Sequence, residues 1–403
     1  MELFWLEHKK LWRKKIVKIC VLLCFVYCVI FGSILSFQWF CFGSSDDYTS
    51  AFGNNFDGYT VIKDSQEYAL SFGGELTDET LQKIVSDYQQ MEADGMEEEL
   101  EKTDWQIVNS WLGTLYPELR DTSNYKTMIS YVDPDKLTGF YERRQQVLDE
   151  FLEVSGQVGA EKEYLHQIEG KVEKPFHYEW VEGWSTLLGS MVADLGVVMA
   201  LFLGIVLSSL FAGEWHDNTS TLVLTTRNGW GKIALAKILT GLAFTVELFA
   251  LLAVSNVISQ LFFMGTAGWN MPIQNIKLIA VAPMNMLQAE IYEYAFVLLG
   301  AIGFAGIVMF ISAAVKNNVL TLLLSLAVVY GPMMIAEYLP YEMQKALDLI
   351  PLVGSSTDIF RTNTFRIFGK LIWSPYLLIT IPVLMGILCM PFAIRSWSRR
   401  MKA

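Results

Sequence analysis

Leu210–Lys237 reads LFAGEWHDNTSTLVLTTRNGWGKIALAK. The segment is polar and lies between two long apolar runs. It carries Glu214, His216, Asp217, Arg227, Lys232 and Lys237, and has too few apolar residues to cross a bilayer. It is also too short to be a domain. Two apolar runs joined in this way read as membrane spans with an aqueous hairpin between them, because irregular polar backbone is not tolerated against lipid. The hairpin itself has two readings. It is either a solvated loop or the surface by which a membrane chain meets a cytosolic partner.

The composition is that of a membrane protein carrying a water-facing insert. Of the 403 residues, 53% are hydrophobic and 18% charged, against about 25% charged in an ordinary soluble domain. The charge is unevenly placed. Residues 41–185 hold 30 of the 42 acidic residues and 11 of the 30 basic ones, so the remainder of the chain is mildly basic. The net −12 is therefore an acidic block set into a basic membrane protein. Cys20, Cys24 and Cys28 recur every fourth residue and share one helix face. In an apolar helix such a stripe reads as thiols packed against a neighbour rather than as a metal site. Cys41 and Cys389 add no pairing pattern, and no disulfide framework follows.

Outward from the hairpin the chain divides by hydropathy. Residues 1–18 interleave Phe4, Trp5, Leu11 and Trp12 with Lys9, Lys10, Arg13, Lys14 and Lys15, the pattern of a basic helix lying in the membrane interface. Residues 19–40 form the first span, long enough for ~30 Å of hydrocarbon and longer than a signal-peptide core. Span 2 is 186–211, the hairpin 212–232 and span 3 233–263. An outer loop covers 264–291. Span 4 is 292–315, span 5 319–335 and span 6 373–394, with short outer helices over 336–372 and a basic tail over 395–403. The fold class is thus all-α: a polytopic membrane protein with six transmembrane helices, an N-terminal interfacial helix and a mainly helical extracellular domain at 41–185. The inner segments 1–18, 213–232, 316–318 and 395–403 carry 6, 2, 1 and 4 Lys/Arg. Short basic inner segments put both termini in the cytoplasm and the acidic block outside.

In the outer block, Thr77–Asp78–Glu79 marks a helix start, followed by Leu81, Ile84, Val85, Tyr88 and Met91 at helical spacing. Trp105, Val108, Trp111, Leu112 and Leu115 mark another. Asp133–Pro134 marks a third, running to Val154. The acidic run Glu97–Glu98–Glu99–Glu101 reads as a solvated helix face. His166 and His177 lack metal-ligand spacing, and no metal site is expected.

Two ionisable residues fall inside spans, where charge is costly and usually faces a bundle interior or water. Asp194 lies near the outer side of span 2 and reads either as pathway lining or as an interface group. Glu247 lies deeper in span 3 and reads as pathway lining or an interhelical hydrogen-bonding group. Catalytic patterns are missing. Gly229–Trp230–Gly231–Lys232 lacks the Walker A spacing, and neither H-E-x-x-H nor G-x-S-x-G occurs. No nucleophile or metal constellation marks the chain as an enzyme, and nothing marks it as a nucleic-acid binder.

At the hairpin the sequence resembles the permease subunits of bacterial type-2 ABC exporters. The resemblance rests on Ala212–Gly213–Glu214 closing span 2, then Thr219 and Thr221, Leu222 and Leu224, Arg227, and Lys237 early in span 3. The family usually has a proline beside the arginine; here the turn is Thr226–Arg227–Asn228–Gly229. The layout of nearly the whole chain also matches. The resemblance implies that the hairpin is a coupling helix docking into a cytosolic ATPase subunit, with Glu214, Thr219, Thr221, Arg227 and Lys237 in the docking region. It implies a second permease copy, ATP and magnesium bound only by the partner, a bacterial cell-membrane location, and an amphipathic peptide or lipid-like substrate. The alternatives are a peptide-sensing or immunity protein without transport, a sodium or ion exporter subunit, and an ion-coupled transporter using Asp194 and Glu247.

Overall fold

The computed structural model describes residues 2–42, 66, 73–96, 105–121, 123–124, 126–188, 192–217, 219, 231–354, 360 and 362–399. The basic N-terminus forms α1 (Glu2–Arg13), and after a break at Lys14 the chain continues as α2 (Lys15–Phe42). Cys20 and Cys24 of α2 are buried and not in disulfides, as their spacing predicts. The acidic segment, called the outer domain below after its reading from sequence, follows as β1 (Gly74–Leu76), α3 (Asp78–Ala93), α4 (Trp105–Leu115), α5 (Phe140–Val154), α6 (Ala160–Glu169), β2 (Phe176–Tyr178) and α7 (Glu182–Thr186). Then come α8 (Val192–His216), α9 (Lys232–Met264), α10 (Met286–Val315) and α11 (Asn318–Ile335). The short α12 (Tyr341–Leu347), β3 (Thr364–Ile367), β4 (Lys370–Trp373) and α13 (Ser374–Arg399) complete the chain. Among the described residues five helices, α8 to α11 and α13, are long and apolar enough to cross a membrane.

The chain is mostly helical, in keeping with the all-α membrane-protein reading, with two short antiparallel strand pairs added. β1 pairs antiparallel with β2, and β3 with β4. Residues 364–373 were expected to be helical and are a hairpin instead. Their side chains alternate, and Phe368 and Gly369 both take positive φ (50° and 80°), the geometry of a two-residue hairpin turn. Among the described residues of 336–372, only Tyr341–Leu347 is an α-helix. The helix expected to start at Pro134 is also broken. Pro134–Lys136 makes one 3-10 turn, Gly139 enters the left-handed region at φ 70°, and α5 begins at Phe140. Asp78 caps that start from across the domain, accepting from the amides of Gly139 at 2.7 Å and Phe140 at 3.0 Å.

Leu81, Ile84 and Val85 of α3, Val108, Trp111 and Leu112 of α4, and Phe140, Leu148 and Leu152 of α5 form the core of the outer domain. The connection between α9 and α10 belongs to this domain as well, and not to a separate outer loop. Met271 and Ile273 are fully buried. Trp111 Nε1 donates to the Asn275 carbonyl at 2.8 Å, and Asn275 Nδ2 to the His177 carbonyl at 2.6 Å. Arg144 is fully buried and clamps the same connection, donating to the carbonyls of Leu278 at 2.8 Å and Ala280 at 3.1 Å. Its other nitrogen pairs with Glu169 at 2.6 Å, which Lys174 also meets at 2.9 Å.

In the helical bundle, α10 packs between α8 and α13. Gly303 and Gly306 make the approach to α13 close. A Cβ on Gly306 would come within 2.7 Å of the Gly386 Cα, so only glycine fits. Ser312 of α10 ties in α8, donating to the Ser208 carbonyl at 2.7 Å and accepting from the amides of Phe211 and Ala212 at 3.1 Å.

Breaking a buried ion pair by truncating one partner costs about 3–5 kcal/mol. Arg144→Ala should therefore destabilise the outer domain by that order, read as a lower unfolding midpoint of the purified chain. Burial opposes ionisation of Glu169, but its bonds to Lys174 and Arg144 outweigh this and hold its pKa below the ordinary 4.5. A carboxyl with a depressed folded pKa contributes stability above the unfolded value and loses it as pH falls. The Arg144→Ala penalty should therefore be full at neutral pH and shrink below pH 4.5.

Candidate functional site

The last turn of α8 brings Glu214 to the inner end of the bundle, where it is only 4% exposed. Lys237, six residues into α9, is 1% exposed and donates to Glu214 Oε1 at 2.8 Å. Two side chains buried so deeply at a helix end need their remaining valences filled. The filling comes from α1 and from the segment just after α8. Lys10 Nζ reaches Glu214 Oε1 at 2.5 Å, and Thr219 Oγ1 donates to Glu214 Oε2 at 2.5 Å. Lys237 makes a second bond, to Glu7 Oε2 at 2.7 Å. Each charged member thus faces at least one opposite charge, the arrangement that makes burial tolerable.

The surrounding lysines respond to this environment. Burial alone would lower Lys10, but the hydrogen bond and charge of Glu214 outweigh it and raise its pKa. Among the described residues no carboxylate pairs with Lys14. This lysine donates to the hydroxyl of Ser209 at 3.0 Å, and burial, then repulsion from Lys237 and Lys10, lowers its pKa.

Helix α1 therefore does not simply float in an interface. Glu7, Lys10, Leu11 and Lys14 recur at helical spacing and face the ends of α8 and α9. The neighbouring stripe of His8 and Trp12 meets α9 further along. Trp12 Nε1 donates to Glu247 Oε2 at 3.0 Å, and His8 Nε2 lies 2.9 and 3.1 Å from the two Glu247 oxygens. Trp12 also stacks edge-on against Phe244 at 5.8 Å. Glu247 is thus turned toward α1, with its side chain 42% exposed.

The inner end of α8 is held on its other side too. Trp215 packs against Trp397 of α13 at 6.1 Å, and Lys316, in the turn between α10 and α11, sits 4.2 Å over the Trp215 ring. Trp397 is fully buried. One helix end thus gathers α1, α9, α13 and the α10–α11 turn.

Of the residues singled out in the sequence, Glu214, Thr219 and Lys237 come together. Thr221, Arg227 and the Asn228–Gly229 turn lie outside the described residues, as do Glu97 to Glu101. Asp194 sits in the first turn of α8, and its side chain lies outside the described part. The reading from sequence missed Glu7, Lys10 and Lys14, whose signal was the spacing shared with Leu11. It also missed Glu290 and Glu293, which stand at the outer end of α10. Among the described residues no group of three His, Cys, Asp or Glu side chains could hold a metal ion. What the cluster can do is mechanical and electrostatic: fix where the polar hairpin leaves the bundle.

Glu214→Ala would leave Lys237 and Lys10 facing one another without their shared carboxylate. It should lower stability by about 3–5 kcal/mol, with Glu214→Gln less harmful because it keeps the acceptor. Thermal unfolding of the purified chain in detergent reads this, and the loss should persist at high salt because the pair is buried. No family model, curated protein or solved structure matches this chain.

Proposed function

We propose that the chain is the permease subunit of an ATP-driven exporter of the type-2 ABC kind, moving an amphipathic peptide or lipid-like substrate outward. In this reading α2 is the first of six spans, both termini are cytoplasmic in a bacterial cell membrane, and the domain of α3 to α7 faces outside. A separate cytosolic ATPase binds ATP and magnesium and docks on the hairpin after α8, and a second permease copy completes the unit.

The observation that supports this best is the buried Glu214–Lys237 pair at the base of the polar hairpin, reinforced by Lys10 and Glu7 of α1. A loop that only joins two spans needs no such anchorage. A loop that transmits force from a docked partner does, because displacement of a soft base would be lost before it reached α8 and α9. The ion-coupled alternative draws less support, since Glu247 is engaged by His8 and Trp12.

Purification of the full chain from its native membrane should bring down an ATP-binding subunit. Arg227→Ala should reduce that recovery several-fold with the chain still folded, and ATP-dependent export should fall in parallel. A chain that purifies intact without any ATPase, or an Arg227→Ala variant that assembles and exports normally, would overturn the reading.

A further inference from the structure

A cavity of about 390 Å³ opens between the segment that leads into β2 and the connection between α9 and α10. That size falls within the roughly 300–1,000 Å³ of small-ligand sites. The connection that walls it is folded back on itself. Pro272 bridges to Asn285, the Ile273 amide donates to the Met284 carbonyl at 3.1 Å, and the Met286 amide to the Met271 carbonyl at 3.0 Å. Pro175, Pro272 and Pro283 stiffen the lining further, so little freedom is lost when a ligand enters. Three carboxamides line the cavity, each oriented by its other bonds. Gln274 is fully buried and donates through Nε2 to the carbonyls of Ala280 at 3.1 Å and Ala282 at 2.7 Å, which leaves Oε1 as an acceptor with no donor. Asn270 Oδ1 accepts from Asn285 Nδ2 at 3.0 Å, and Gln288 Oε1 accepts from the Asn285 amide at 3.2 Å in the cap of α10. Among the described residues, the NH2 groups of Asn270 and Gln288 have no acceptor.

The cavity therefore offers two preset donor groups and one buried acceptor. A buried acceptor left unpaired is costly, so the site favours a ligand that brings a donor. A peptide group carries one acceptor and one donor, and an extended chain repeats them at short intervals. The charges on the lining are balanced, since Lys171 and Glu173 both belong to it, and this selects neither an anion nor a cation. No Phe, Tyr or Trp lines it, so a sugar ring would lack a flat apolar face to stack on. Val172, Met284 and the prolines offer apolar surface to small side chains. We propose that this cavity binds a short extended peptide through its main chain. The NH2 groups of Asn270 and Gln288 donate to peptide carbonyls, and Gln274 Oε1 accepts a peptide N–H. Capture of a peptide cargo as the site's purpose rests on the export reading; the binding itself does not.

The test uses the full chain in nanodiscs of zwitterionic lipid, with saturation-transfer NMR against empty nanodiscs as background. The probe is an uncharged, capped tetrapeptide of leucine and alanine. Its ester analogues, each with one main-chain N–H replaced by oxygen, and maltotriose are the comparators. The tetrapeptide should bind saturably, and at least one ester analogue should bind about tenfold more weakly. Asn270→Asp and Gln288→Glu keep the oxygens that Asn285 uses and exchange only the free NH2 for an oxygen. Each should weaken the tetrapeptide about tenfold with the unfolding midpoint unchanged, and Glu342→Gln on α12 should change nothing. Absence of saturable tetrapeptide binding to the unaltered chain overturns the proposal, as does equal affinity in both variants. Ester analogues that all bind as tightly as the peptide overturn it, because the main chain is then not read. Maltotriose binding more tightly than the peptide overturns it in favour of a sugar site. If the peptide binds through Asn270 and Gln288 but no ATPase co-purifies, the site stands and the exporter reading falls. If an ATPase assembles and peptide binding ignores both residues, the site falls alone.

Discussion

The inner half of the structure depends on one constraint: Glu214 is a carboxylate that cannot reach water. A buried anion must be matched locally, and the matching groups come from two other helices and from the chain just beyond α8. Glu214 thereby fixes the rotation of α9 through Lys237 and the placement of α1 through Lys10. Lys237 in turn recruits Glu7, which closes the network back onto α1. Apolar packing alone would leave these helices free to slide, because in lipid it gives little directional preference. Charges with defined partners remove that freedom.

The same helix end is braced by aromatic contacts from the opposite side, where Trp215, Trp397 and Phe211 cluster. Electrostatic pairing toward α1 and aromatic packing toward α13 act on successive residues, Glu214 and Trp215. A displacement of the hairpin base would therefore be felt by both halves of the bundle. The close passage of α10 over α13, permitted by Gly303, Gly306 and Gly386, connects that inner brace to the outer end.

Much of this was legible in the residues. The long helices follow from apolar run length, and α3 and α4 from Leu81–Ile84–Val85–Tyr88 and Val108–Trp111–Leu112–Leu115 at helical spacing. Glu214, Thr219 and Lys237 were legible because polar groups at the edges of apolar runs stand out. Their partners on α1 were not, since Glu7 and Lys10 are more than 200 residues away and look like ordinary interface charges. Glu247 drew notice for its depth in an apolar run, yet its neighbour is α1 rather than a bundle interior. The Thr364–Trp373 hairpin was hidden because its alternation is short and follows a helical stripe. Glu290 was hidden because charge at the margin of an apolar run looks cheap, and only tertiary packing buries it.

The clamp of Arg144 on Leu278 and Ala280 also bears on how the chain is made. The outer domain begins before α8, yet part of its core, Met271 and Ile273, is synthesised only after α9. Its hydrophobic centre cannot close when its first helices emerge. Closure waits until α8 and α9 have been made and the connection to α10 has followed them. A chain cut short before that connection would be left with an unfinished core in this domain, however well its first helices had formed.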